Sequence, residues 1–166
     1  MRTLPIAFFF ATFVAIALAQ DSVPATSACG AERVSFNVKL DKSHPPLPKT
    51  EPGKATVVFI QEIGAQHLRI GEHVVGKIGI DGTWVGAVRK NSYFSVPIEP
   101  GEHHICLSME SELPEFAHFK AEAGEVYYFR SLYAYEGSNL LLAPVDSDEA
   151  KYAIATFPLS VSMPKK

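Results

Sequence analysis

The sequence has little of three things that mark specialised classes of protein: cysteine, net charge and long apolar runs. Two cysteines in 166 residues are too few for a disulfide-dense miniprotein. A net charge of −3 lacks the basic excess of a nucleic-acid-binding domain. Charged residues make up only 20% of the chain and aromatic residues 11%, whereas a disordered chain is rich in charge and poor in aromatics. The length suits one ordinary domain.

The only long apolar run stands at the N-terminus. Arg2 precedes it, the run extends from Leu4 to Leu18, and a small-x-small motif at residues 17–19 ends it before polar Gln20. This is the layout of a secretory signal peptide, and the run is shorter than the about 20 residues that a membrane-spanning helix needs. We therefore expect residues 1–19 to be cleaved. The rest should be secreted or periplasmic, without a transmembrane span.

The two cysteines, Cys29 and Cys106, have one possible intramolecular pairing. In an oxidising compartment such a pair tends to form a disulfide, which here would tie an N-terminal arm to a central strand. The alternative is a buried thiol at Cys106 with an unpaired Cys29. Lipidation of Cys29 is a further alternative, although the residues before it lack the usual leucine.

Alternating polarity and regularly spaced turn residues predict an all-β domain. Asp81-Gly82 is a hairpin signal, and Pro100-Gly101 predicts another turn. The strands predicted between such turns cover residues 34–40, 55–60, 74–80, 84–88, 94–98, 103–109, 116–122, 125–133 and 139–142. This spacing favours an antiparallel β-sandwich, with a barrel-like arrangement as the alternative.

One short C-terminal helix is predicted at residues 146–155. Asp146 is the N-cap candidate, and Glu149 stands three residues later in a capping-box arrangement. The predicted division of the chain is a signal peptide at 1–19, an arm with a first strand and a proline-rich linker at 20–53, and a β-sandwich domain at 54–162.

Several long motifs resemble an uncharacterised family of exported bacterial proteins, domain-of-unknown-function family 2846. The motifs occur in order and are GKATVVFI, KIGIDGTWVG, NSYFSVPIEPGEHHICLS, AHFKAEAGEVYYFR and PVDSDEAKYAIA. The resemblance covers roughly residues 50–160. It implies a β-rich domain of the kind found in envelope lipoproteins and secreted proteins, and it brings no established activity and no catalytic residues.

Histidines offer the one metal-site hypothesis. His104 shares a strand face with Glu102 and Cys106, and His118 on the next strand would lie across from it in a suitable register. His104, His118 and Glu102 would form a zinc site, and a small metal-dependent hydrolase using His104 and His118 is therefore the alternative function. The spacing matches no recognised metal motif, so we expect hydrogen-bonded surface or boundary histidines, with no metal and no cofactor.

Aromatic side chains offer the other hypothesis. Trp84, Tyr93, Tyr127 and Tyr133 would form a partner surface if their face of the sheet were open, and core if it were covered. No serine stands in a nucleophile elbow, so we expect no catalytic residues. The sequence favours an exported non-catalytic module that is envelope-associated or binds an unidentified protein, envelope component or ligand, and no nucleic acid.

Overall fold

The structure, a computed structural model, describes residues 29–30, 33–47, 50–63, 74–109, 113–133 and 140–165, without the side chains of residues 132, 133 and 140. Within these ranges the chain forms ten strands and one helix. In chain order they are β1 (Phe36–Asp41), β2 (Ala55–Glu62), β3 (Val75–Ile80), β4 (Thr83–Arg89), β5 (Ser92–Ile98), β6 (Gly101–Ser108), β7 (Glu115–Ala121), β8 (Val126–Tyr133), β9 (Leu140–Pro144), α1 (Ser147–Thr156) and β10 (Leu159–Pro164).

The strands form two sheets that pack face to face, which confirms the β-sandwich. One is a six-stranded sheet in the order β1-β10-β5-β2-β8-β9, and the other is a four-stranded sheet in the order β4-β3-β6-β7. The described strands form no closed barrel. Most neighbours are antiparallel, but β2 pairs with β8 in parallel because β8 returns to the six-stranded sheet after the chain has built the other one.

Alternate residues of both sheets meet in one apolar core. Val57 and Phe59 from β2 pack with Ile78 from β3, Ile105 from β6 and Phe129 from β8, all of them buried. Each strand contributes every second residue because successive side chains point to opposite faces. The alternation along β3 and β6 predicted their core face correctly, whereas β2 is apolar on both faces and the core face of β8 was left open.

One side of the sandwich is closed by hydrogen bonds between the sheets. The backbone N–H groups of Ala87 and Arg89 on β4 donate to the hydroxyls of Ser162 and Ser160 on β10, each at 3.1 Å. Gly86 makes this approach possible, because a Cβ there would overlap the Phe94 ring of β5. The opposite side is bounded by the edge strands β7 and β9.

Helix α1 covers the outer face of the six-stranded sheet. Ala150 and Ile154 pack against Val58, Ile60 and Tyr93, as part of a second buried cluster. The N-cap is Asp146 as predicted, and its carboxylate accepts from the N–H of Asp148 at 2.8 Å.

The predicted capping box with Glu149 is not formed, because Asp146 accepts from the N–H of Asp148, one residue before Glu149. The Glu149 carboxylate accepts instead from the Arg130 guanidinium, which also lies 3.5 Å from the Glu62 carboxylate. Arg130 is on β8 and Glu62 ends β2, so this ion pair fastens the first turn of the helix to the sheet.

The predicted disulfide between Cys29 and Cys106 is present in the structure. Cys106 is fully buried on β6, and Gly30 lies so close to the Trp84 indole of β4 that a Cβ there would collide with it. The arm therefore crosses the outer face of the four-stranded sheet from β6 to β4. Further along the chain β1, which the sequence division groups with the arm, pairs with β10 at the edge of the six-stranded sheet.

Loss of the disulfide is expected to destabilise the domain. The bonded cysteines are separated by 77 residues, and closing a loop of that size stabilises a fold by up to about 4 kcal/mol in the chain-entropy account. Thermal unfolding of the protein with and without reductant measures the effect, with the Cys29→Ser/Cys106→Ala double variant as control. Titration of free thiols confirms that the disulfide is reduced. If the melting temperature is then unchanged, the prediction is contradicted.

Candidate functional site

The turn between β3 and β4 is held by a side chain rather than by the turn backbone alone. Asp81 and Gly82 both have positive φ, 47° and 81°, as a tight hairpin of this kind requires. The Asp81 carboxylate accepts from the backbone N–H of His104 at 2.8 Å and lies 2.6 Å from Nδ1 of His103. One carboxylate thus links the β3–β4 turn to β6.

His103 is a buried, fully engaged side chain on the core face of β6. Its Nε2 lies 2.7 Å from the Glu99 carbonyl oxygen while its Nδ1 faces Asp81, so both ring nitrogens meet an acceptor. The ring also lies against Phe119 of β7, with 5.9 Å between centroids. His103 therefore serves to position Phe119 and the β5–β6 turn.

Phe119 is the centre of an aromatic cluster that spans the two sheets. Its ring centroid lies 5.0 Å from those of Tyr127 and Phe129 on β8, and Phe129 lies 6.1 Å from Phe59 on β2. The Tyr127 hydroxyl accepts from the backbone N–H of Glu122 at 2.9 Å, which fixes the orientation of that ring. Tyr127 and Phe129 thus face the opposite sheet, whereas α1 covers the other face of β8.

A groove lies over this cluster at the open side of the sandwich. Its volume is about 430 Å³, within the range usual for small-molecule sites. One wall is the inner face of β7, and the other is β8 with the segment that leads from β9 into α1. The lining residues are Ala117, His118, Phe119, Val126, Tyr127, Tyr128, Phe129, Pro144, Val145, Asp146 and Ser147.

The groove combines an aromatic floor with a polar rim. Phe119 and Tyr127 supply the floor, and the rim carries the Asp146 carboxylate and the Ser147 hydroxyl at the start of α1. Such a site can accept an apolar ring and hydrogen-bond a donor group beside it.

The histidine pair lies on the outer face of the four-stranded sheet. His104 and His118 are direct cross-strand partners, as the metal hypothesis required, with ring centroids 5.7 Å apart. The Glu102 carboxylate is 3.9 Å from Nε2 of His118, and the His118 side chain is 69% exposed. Among the described residues no group of three or more His, Cys, Asp or Glu side chains could hold a metal ion.

The four aromatic residues considered as a partner surface lie in different environments. Tyr93 is only 1% exposed under α1, and its hydroxyl donates to the Pro45 carbonyl at 3.1 Å. Tyr127 is half-buried in the groove floor. Trp84 is half-buried on the outer face of the four-stranded sheet, where the Lys77 ammonium lies 4.6 Å from its ring centroid. The side chain of Tyr133 lies outside the described residues.

Three features of the interior were not predicted from the sequence. The Asp81–His103 interaction joins the β3–β4 turn to β6, and the second wall of the groove depends on where β9 ends. The D-G turn and the alternation of Ala117 and Phe119 were the available signals, and neither reveals what lies across the gap. Gln61 was also missed: it is 1% exposed in the core, and both of its amide atoms lack a hydrogen-bond partner.

The fold and the groove together define a small β-sandwich with a recessed aromatic site among its described residues. A profile of the family described as "Protein of unknown function (DUF2846)" matches residues 51–140, and the chain belongs to this family. Comparisons with curated proteins and with solved structures gave no match. No helix among the described residues has the length and apolar character required to cross a membrane.

Replacing Asp81 is expected to destabilise the β3–β4 turn through lost hydrogen bonds. Asp81→Gly keeps the positive φ but leaves His103 and the His104 N–H without their acceptor, at a cost of about 1–3 kcal/mol. Asp81→Asn, which tolerates the same φ and retains one acceptor oxygen, should cost less. Denaturant titration measures both, and a glycine variant as stable as the native chain would contradict this role.

The buried Tyr93 hydroxyl is expected to make the stability of the fold decrease at alkaline pH. Burial, and secondarily the charge of Asp41, raises the pKa of the Tyr93 hydroxyl above its ordinary value. A pKa raised in the folded state means that stability falls as pH rises above about 10, where the unfolded chain loses the proton first. Tyr93→Phe should flatten this dependence in unfolding titrations across alkaline pH. Tyr152→Phe, at an exposed position, is the control and should retain it.

Proposed function

We propose that this protein is an exported, non-catalytic β-sandwich module that binds a small aromatic or amphipathic ligand in the groove between β7 and the β9–α1 segment. The observation that carries the proposal is the groove itself, a recess of about 430 Å³ with an aromatic floor. Pockets of this size with few polar groups are typical of ligand sites.

The rigidity of the floor supports binding. Phe119 is held from below by His103, which is itself fixed by Asp81 and the Glu99 carbonyl. Tyr127 is held by its hydrogen bond to Glu122. Because these rings are already positioned, a ligand would lose little free energy in ordering them.

The rim favours a ligand that carries a hydrogen-bond donor or a positive charge. Asp146 and Ser147 stand beside the aromatic floor, and the Asp148 side chain next to them is exposed. A cationic or N–H group placed between these acceptors and the Tyr127 ring would gain both hydrogen bonding and cation–π attraction.

Export is the second part of the proposal. The N-terminal run has the features of a signal peptide, and a disulfide such as Cys29–Cys106 persists in oxidising compartments. Attachment to the envelope through a protein or surface component is compatible with both features. The non-catalytic assignment is supported by the absence of a nucleophile–base pair in the sequence and by the structural roles of His103 and Asp81.

Binding can be tested with fragments rather than with a presumed ligand. Indole and phenol added to isotope-labelled protein are expected to shift the backbone amide signals of Ala117, Tyr127 and Ser147. Ala117→Leu, which fills the groove from the β7 side, should abolish the shifts. Tyr152→Ala removes an exposed aromatic ring elsewhere and should leave them intact. Shifts confined to another surface, or none at all, would contradict a binding role for the groove.

A further inference from the structure

The pairing of β7 with β6 determines which backbone groups of β7 point outward from the sheet. On the neighbouring strand β6, the backbone N–H and C=O of His104 point away from β7, toward Asp81. The N–H donates to Asp81 Oδ1 at 2.8 Å, and the C=O accepts from the N–H of Asp81 at 2.9 Å. His104 and His118 are direct partners, so they form the non-hydrogen-bonded type of antiparallel pair. The N–H and C=O of His118 therefore point outward from the sheet.

The same outward direction recurs every second residue along the strand. Phe116 and Lys120 thus join His118 in presenting backbone donors and acceptors at the edge, whereas Ala117 and Phe119 pair with β6. β7 is the last strand of its sheet in the described part of the chain. A strand edge with three residues of aligned backbone groups is a template for another strand.

We propose that β7 pairs in antiparallel fashion with β7 of a second copy of this chain, about a two-fold axis at His118. The three outward-facing residues are symmetric about this position. His118 would pair with His118 of the second copy. Phe116 would pair with Lys120 of the second copy, and Lys120 with Phe116 of the second copy. All six backbone hydrogen bonds of this short ladder then form, which is the self-complementary arrangement that a two-fold interface requires.

The side chains on both faces of the strand fit this occupant. On the outer face, Phe116 is 37% exposed, and the pairing would place the Lys120 stem and ammonium of the second copy against its ring. On the inner face, the small Ala117 would oppose the large Phe119 of the second copy. A strand from an unrelated protein has no such built-in match, so the second copy is the favoured partner.

The position of the edge links this pairing to the groove, although the inference does not depend on ligand binding. Ala117, His118 and Phe119 line the groove from β7, so the paired strands would form its roof. The interface is short, and we therefore expect reversible, concentration-dependent dimerisation rather than an obligate dimer.

Charge substitutions at position 116 test the pairing. Sedimentation velocity over a concentration series should show a monomer–dimer equilibrium for the full chain. Phe116→Lys places a lysine opposite Lys120 of the second copy at both symmetry-related positions. This repulsion should raise the dimer dissociation constant by about tenfold or more. The matched variant Phe116→Glu faces Lys120 of the second copy and should dimerise at least as well as the native chain. The double variant Phe116→Lys/Lys120→Glu should restore dimerisation.

A backbone variant tests the strand contact itself. The N–H of His118 takes no part in the β6–β7 ladder, so His118→Pro should fold with a native melting profile yet lose the dimer. His118→Ala keeps the N–H and should retain it. A native chain that stays monomeric at every concentration would overturn the proposal and leave the edge to another protein's strand. The proposal would also be overturned if neither Phe116→Lys nor His118→Pro changed the dimer dissociation constant.

Discussion

In the described part of the chain, strands of the two sheets are hydrogen-bonded to each other along the side where β4 meets β10. On that side, serine hydroxyls of β10 accept from backbone N–H groups of β4, and the missing side chain of Gly86 lets the Phe94 ring approach. Ser162 accepts from the N–H of Ala87 on this edge strand, and the N–H of Arg89 is shared between Ser160 and Ser92. On the opposite side the described link is the hydrogen bond from the Glu122 N–H to the Tyr127 hydroxyl, and the aromatic cluster there is recessed rather than enclosed. Both the groove and the edge of β7 are consequences of this asymmetry.

The aromatic residues of β8 lie in two environments, according to which face of the strand they occupy. Tyr128 faces α1 and belongs to the outer cluster, whereas Tyr127 and Phe129 face the four-stranded sheet. The helix therefore does not cover the groove floor, and its N-terminal residues form only the rim. Because successive side chains point to opposite faces, a shift of one residue along β8 would move a side chain from the groove side to the helix side.

Local patterns in the sequence were sufficient for the strands and the helix, but not for the site. The alternation along β6 placed His103 inward and His104 outward, and the D-G turn marked the β3–β4 hairpin. The pairing of His104 with His118 was predicted only on condition of a suitable register, which the structure supplies. The groove did not, because its walls come from β7 and from the end of β9, and only the strand order brings them together. The Asp81–His103 contact likewise depends on how β3 pairs with β6.

The order of the strands in the six-stranded sheet has a consequence for how the chain folds. β1 is hydrogen-bonded to β10 along its whole length and lies at the end of the sheet. In the described part of the chain, β1 therefore gains its strand partner only after residues 159–164 have been synthesised, although it also lies close to β4. Such non-local pairing slows folding, because the loop-closure entropy of nearly the entire chain precedes the contacts that compensate for it.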